Sequence, residues 1–140
     1  MQVYMSYAQQ DRELAWNIAK ALKNAGLHVW IDIDNIYPGD NWAEVIGKAL
    51  KESQAMVVLL TPSALQSEWV RKDIAYAIGN LAYEWRVIPV LVGGMSADEI
   101  PWILRQMQVI HLENPEQQDR IEQIAEALRE ASQGLISHGS

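Results

Sequence analysis

Cysteine is absent from all 140 residues, which removes disulfides, thiolate catalysis and Cys-based zinc sites together. Phenylalanine is absent too, so six Trp and five Tyr carry the aromatic load, most of it as packing. No apolar run approaches the length of a bilayer span. The N-terminus, Met1-Gln2-Val3-Tyr4-Met5, enters a strand-like run without a basic segment and apolar stretch, so no signal peptide is expected. The expectation is a cytoplasmic chain with no membrane partner. The three histidines (His28, His111, His138) lack metal-ligand spacing, and no metal site is assigned. Basic side chains are the minority, 11 against 18 acidic, for a net charge of −7. That balance argues against binding a nucleic-acid backbone, which needs clustered Lys and Arg. Arg71-Lys72 is a local basic spot and reads as a solvated helix face.

What the sequence has is alternation. Apolar runs alternate with amphipathic stretches from end to end, the pattern of a parallel sheet covered by helices. Val3–Tyr7 and Val29–Ile33 predict the first two strands. Ala55–Leu60, apolar throughout, predicts a central strand covered on both faces. Val87–Val92 predicts a fourth strand starting at or beside Pro89, which lacks a donor. Val109–Leu112 predicts a fifth. Between them, Asp11 caps a helix carrying Leu14, Ile18, Leu22 and Ala25, and Gly26 ends it. Asp40 caps a second, with Trp42, Val45, Ile46, Ala49 and Leu50 inward. A third carries Val70, Ile74, Ala77, Ile78 and Leu81, and a closing helix carries Ile121, Ile124, Ala125 and Leu128. A short helical stretch is expected near Trp102 to Met107. The chain reads as one domain over residues 1–132, with a frayed tail over 133–140.

The most informative segment is Ser67-Glu68-Trp69-Val70-Arg71-Lys72-Asp73-Ile74. Trp69 and Asp73 stand four residues apart, one turn along one helical face. They open a helix after a buried strand, on the edge of an α/β sheet where ligands bind. A flat indole beside a carboxylate can grip a nucleotide and steady a cationic sugar. Equally, the pair reads as a core Trp over a first-turn Asp that favours the helix N-terminus.

Three segments in order resemble the Toll/interleukin-1 receptor (TIR) domain. The first is Val3-Tyr4-Met5-Ser6-Tyr7-Ala8-Gln9-Gln10-Asp11. The second is Gly26-Leu27-His28-Val29-Trp30-Ile31-Asp32, continuing through Ile36-Tyr37-Pro38-Gly39-Asp40-Asn41-Trp42. The third is Leu59-Leu60-Thr61-Pro62-Ser63, then Ser67-Glu68-Trp69. The resemblance is close over roughly the first ninety residues and follows element order beyond them. It implies a flavodoxin-like three-layer sandwich, with a central five-stranded parallel sheet flanked by helices. It implies the NAD-cleaving branch of the family, bacterial in type, with NAD as substrate and no resident cofactor. The loop Ile36-Tyr37-Pro38-Gly39 resembles the family's BB loop, used in self-association and substrate access, so the implied partners are copies of the chain or other TIR domains. The family's WxxxE motif places a catalytic glutamate four residues after a tryptophan. Here Trp69 matches and the acid is Asp73.

Breaking the nicotinamide–ribose bond builds positive charge on the sugar, as in glycoside hydrolysis, and a carboxylate beside the ribose stabilises it. Nicotinamide in NAD is already cationic, so no general acid is needed, which fits a site without His, Cys or metal. Aspartate falls short of glutamate by roughly 1–1.5 Å. The residue leaves three outcomes open: a weak enzyme, a site with shifted backbone, or an inactive binder. Tyr7 and Ala8 after the first strand, Asp32 ending the second and Ser63 after the third share the same sheet edge. With Trp42 and Trp69 they form the expected substrate-binding set. Tyr7 and Trp42 read equally as core residues, and Asp32 as a turn-stabilising residue. A noncatalytic TIR adaptor working through the partly apolar loop is the competing function. A receiver-like phosphoacceptor fits the same alternation but is discounted: its carboxylates are missing after the first strand, at Ser6-Tyr7-Ala8, and after the third, at Leu60-Thr61-Pro62.

Overall fold

Alternation along the central strands decides the architecture. On one side of the sheet Val3, Met5, Val57 and Leu59 join Ile18 and Leu22, with Ile121, Ile124 and Leu128, in one buried core. On the other, Tyr4, Met56, Val58 and Leu60 join Ile46, Leu50, Val70 and Ala77 in a second. Successive strand residues face opposite ways, so an unbroken apolar strand feeds two cores at once.

The computed structural model describes residues 1–83, 86–114 and 118–138. Its elements are β1 (Gln2–Ser6), α1 (Arg12–Asn24), β2 (His28–Trp30), α2 (Asp32–Asn35), α3 (Trp42–Glu52), β3 (Ala55–Leu60) and α4 (Pro62–Leu65). They continue with α5 (Glu68–Gly79), β4 (Val87–Val92), β5 (Ile110–Leu112) and α6 (Gln118–His138), with 3₁₀ turns at Gln9–Asp11, Ala97–Glu99 and Leu104–Gln106. All pairings are parallel, in the order β2-β1-β3-β4-β5. This is the doubly wound, flavodoxin-like order, with α1 and α6 over one face and α3 and α5 over the other. The chain reverses direction of travel across the sheet between β1 and β3, and ligands bind at the carboxyl ends of strands beside that point.

Several expectations need correction. The second strand ends at Trp30, not Ile33. Asp32 Oδ1 accepts from the Ile33 backbone N–H at 2.9 Å and Asn35 Nδ2 donates to the Ile31 carbonyl at 2.7 Å, local bonds that favour one helical turn over the ladder. Asn41, not Asp40, caps α3, its side chain accepting from the Glu44 N–H; Asp40 instead accepts from the Tyr37 N–H and closes the preceding loop. Leu81 is 92% exposed, because α5 stops at Gly79 and its inward stripe stops with it. β4 spans Val87–Val92, the expected run, but does not start at or beside Pro89: it carries Pro89 inside it, between β3 and β5, where one absent donor removes one ladder bond and the five register pairs with β3 hold the strand around it. The closing helix, α6, runs to His138, and residues 139–140 lie outside those described.

Candidate active site

A cleft of about 440 Å³ opens at the carboxyl ends of β1 and β2 and the start of α5. That volume lies within the usual range for small-molecule sites. Its inner wall is the carboxyl group of Asp73. α5 starts at Glu68 because Ser67 accepts from the Val70 N–H, and this cap sets the phase of the helix. In that phase Val70, Asp73 and Ala77 turn toward the sheet while Trp69 stays at the mouth. Asp73 is only 5% exposed.

Strand β1 supplies its partners. Tyr4 and Ser6 lie two apart and share the sheet face toward α5. Ser6 Oγ donates to Asp73 Oδ2 at 2.8 Å, and Tyr4 Oη reaches Asp73 Oδ1 at 3.5 Å. No cation neutralises the carboxylate among the described residues. Burial disfavours its charged form and raises its pKa to about 6; the Ser6 and Tyr4 hydrogen bonds pull the other way, and the charge of Asp32 adds to the rise. Burial, then the neighbouring Asp73 charge, also pushes the Tyr4 phenol above its ordinary value, so it remains a donor.

Aromatic rings wall the cleft. Trp42 and Trp69 meet edge to face, ring centroids 4.2 Å apart, and both indoles remain partly open, at 38% and 44% exposure. Core packing therefore does not account for either. Opposite them Trp30 stacks on Tyr4, with centroids 5.2 Å apart and planes within 9°. At the rim Tyr7 is buried and donates its hydroxyl to Asp32 Oδ1. Gln9 Nε2 approaches Asp32 Oδ2 at 3.4 Å. Burial and the Asp32 hydrogen bond raise the Tyr7 pKa, keeping this hydroxyl protonated. Asp32 thus both braces its own turn and faces the cleft.

Of the expected set, Tyr7, Asp32, Trp42, Trp69 and Asp73 line this cleft together, and Ile36 of the loop joins them. Ala8 does not: it is buried in the core beneath α3 and α5. Ser63 does not line it either, sitting within α4. Tyr37, Pro38 and Gly39 lie outside the cleft on an exposed turn, with Gly39 at φ +94°. Sequence reasoning passed over Tyr4, Ser6, Gln9, Arg12 and Trp30. Ser6 carries only a weak signal, a small polar residue within an aromatic and aliphatic run, and the helix it faces is set by the fold and not by the run itself.

The chain belongs to the TIR domain family, whose sequence model matches residues 3–128. It is 28% identical over 112 residues to a stimulator of interferon genes protein of Magallana gigas, covering 78% of this chain and 27% of that protein. A probable 2′ cyclic ADP-D-ribose synthase of Methanobrevibacter olleyae is 28% identical over 90 residues, 64% of this chain and 26% of its own length. An NAD(+) hydrolase of the Theionarchaea archaeon (strain DG-70-1) is 26% identical over 99 residues, 70% of this chain and 30% of its own. The chain therefore spans about a quarter to a third of these curated relatives. Among solved structures, the TIR domain of a Toll-related receptor from Hydra magnipapillata superposes with a TM-score of 0.62 at 28% identity, covering 78% of this chain and 82% of that one.

Proposed function

We propose that this TIR domain cleaves the bond between nicotinamide and ribose in NAD, releasing nicotinamide and ADP-ribose or a cyclised form of it. One observation carries the reading: a buried, unneutralised carboxylate, Asp73, at the back of a cleft walled by Trp42 and Trp69. The TIR relatives named for NAD hydrolysis and cyclic ADP-ribose synthesis support it.

In the proposed reaction the C1′–N bond breaks and its electron pair leaves on the nicotinamide ring nitrogen, which becomes neutral. Positive charge moves to the ribose, where Asp73 faces it in a poorly solvated site and stabilises it. Water, or a hydroxyl of the same molecule, adds to C1′ and gives its proton to Asp73. With a pKa near 6 that carboxylate is ionised at neutral pH and still basic enough to accept it. Asp32, held by Tyr7, offers its second oxygen to ribose hydroxyls. The indoles give the nicotinamide an apolar wall.

Self-assembly through the turn at Ile36–Gly39 accompanies this reading, in a cytoplasmic setting and in signalling or defence. Tyr37 is 66% exposed there, while Ile36 beside it lines the cleft, so a contact at the turn bears directly on the site. An adaptor acting through the turn alone leaves Asp73 and its hydroxyl partners without a purpose.

The test is nicotinamide release from NAD at several protein concentrations. Asp73→Ala is expected to lower it by about 100-fold or more. Asp73→Glu restores the length of the acid in the WxxxE motif and is expected to raise kcat by roughly 10- to 100-fold. Absence of release from the wild-type protein, even when clustered on a support, defeats the proposal.

A further inference from the structure

A second, shallower cleft of about 370 Å³ adjoins the first and shares two of its wall residues, Arg12 and Ile33. Beyond them it is lined by Gln10 from the 3₁₀ turn before α1 and by Glu13 and Trp16 from the start of α1. Arg12 therefore stands on the divide, exposed, and pairs with no carboxylate among the described residues. Trp16 is unlike a free surface indole. Its Nε1 points at Asp34 Oδ1 at 3.4 Å, and Lys20 Nζ lies 3.8 Å from the ring centroid. Asp34 is in turn held by Lys23 at 2.7 Å. The ring is thus fixed in orientation before any ligand arrives, which lowers the ordering cost of binding against it.

Resting on the NAD reading above, the geometry points to Arg12 and Trp16 as the subsite for the adenylate half of the dinucleotide. Nicotinamide riboside occupies the Asp73 cleft, the pyrophosphate crosses the divide on Arg12, and the adenine lies against Trp16. The charge pattern fits this order. The inner cleft holds carboxylates, which suit a cationic ring and a developing cationic sugar and repel phosphate. Arg12 offers a planar guanidinium fork where two phosphates must pass, the arrangement best matched to phosphate oxygens. Gln10 and Glu13 supply an amide and a carboxylate at the base, able to meet the exocyclic amine of a purine. An adenine-free substrate would leave the outer cleft empty.

Two measurements test the subsite. In turnover, Arg12→Ala and Trp16→Ala are each expected to raise KM for NAD by about tenfold while leaving kcat nearly unchanged, the mark of lost uniform binding. The increase from Trp16→Ala is expected to be smaller for nicotinamide mononucleotide, which has one phosphate and no adenosine. Trp16→Phe, which keeps a flat ring, restores most of the NAD value. In binding, AMP titrated into the ¹⁵N-labelled protein is expected to shift the Trp16 indole N–H, assigned by its loss in Trp16→Phe. If NAD is turned over but KM is unmoved by both alanine variants, the subsite is wrong and the proposed activity stands. If NAD is not turned over, the AMP titration decides: a shift at Trp16 that Arg12→Ala weakens upholds the subsite, and no shift, or a shift elsewhere, overturns it.

Discussion

Asp73 holds a charge where the fold gives it little solvation, and that sets the behaviour of the protein with pH. Its pKa in the folded protein, about 6, stands above the ordinary aspartate value of 3.8. Between these two values the folded state binds more protons than the unfolded one, so stability falls as pH rises through that window and is level above it. The difference is on the order of 3 kcal/mol from this residue alone. Asp73→Asn removes the charge but keeps an acceptor for Ser6 and Tyr4. The variant is expected to gain in Tm over the wild-type protein at pH 7.5 and to gain much less, or nothing, at pH 4.5, read by thermal scans at both values. The same group shapes activity on the proposed reading. The acid limb of kcat/KM should fall near pH 6, since the ionised form is the working one. Ser6→Ala removes a hydrogen bond that favours ionisation, so that limb should move to higher pH. A limb that stays in place would separate Asp73 from the chemistry.

At the scale of elements, the strands were the most readable part of the sequence. β3 is apolar at every position and its ends match the expectation residue for residue. Local polar bonds were the least readable. Asp32, Asn35, Asp40 and Asn41 each could serve a turn, a cap or a strand end, and which bond each makes depends on neighbours that only folding supplies. The closing of α1 shows a clear sequence signal: Gly26 sits at φ +92° with open space around a would-be Cβ. Gly26→Ala is therefore expected to cost about 1–2 kcal/mol through the backbone alone, with no steric component, as chemical denaturation would measure. Leu81→Ser serves as the contrast. Periodicity placed Leu81 inward, the fold leaves it outside, and the substitution should change stability by no more than about 0.5 kcal/mol.

For the whole molecule, the order β2-β1-β3-β4-β5 gathers the ends of β1, β2 and the start of α5 around one cleft. That is why Trp69 and Asp73 could be singled out from spacing and fold class, while Tyr4, Ser6 and Trp30 could not. Their roles depend on which strand lies under which helix. Arg12 and Trp16 were hidden for the same reason, since α1 meets the rim only in three dimensions. Assembly belongs to this scale too. If the exposed turn carries contacts between copies, specific activity should rise steeply with protein concentration, and Tyr37→Ala should flatten that rise while leaving the thermal midpoint nearly unchanged. Sedimentation beside the turnover assay checks both.

The hydroxyl groups that hold Asp73 sit 67 and 69 positions earlier in the chain. A nascent or partly unravelled copy, with β1 formed but α5 not yet seated, has no working centre at all. On the proposed activity, such a copy would leave the cell's dinucleotide supply untouched, a safeguard that arises from sequence separation and needs no inhibitor.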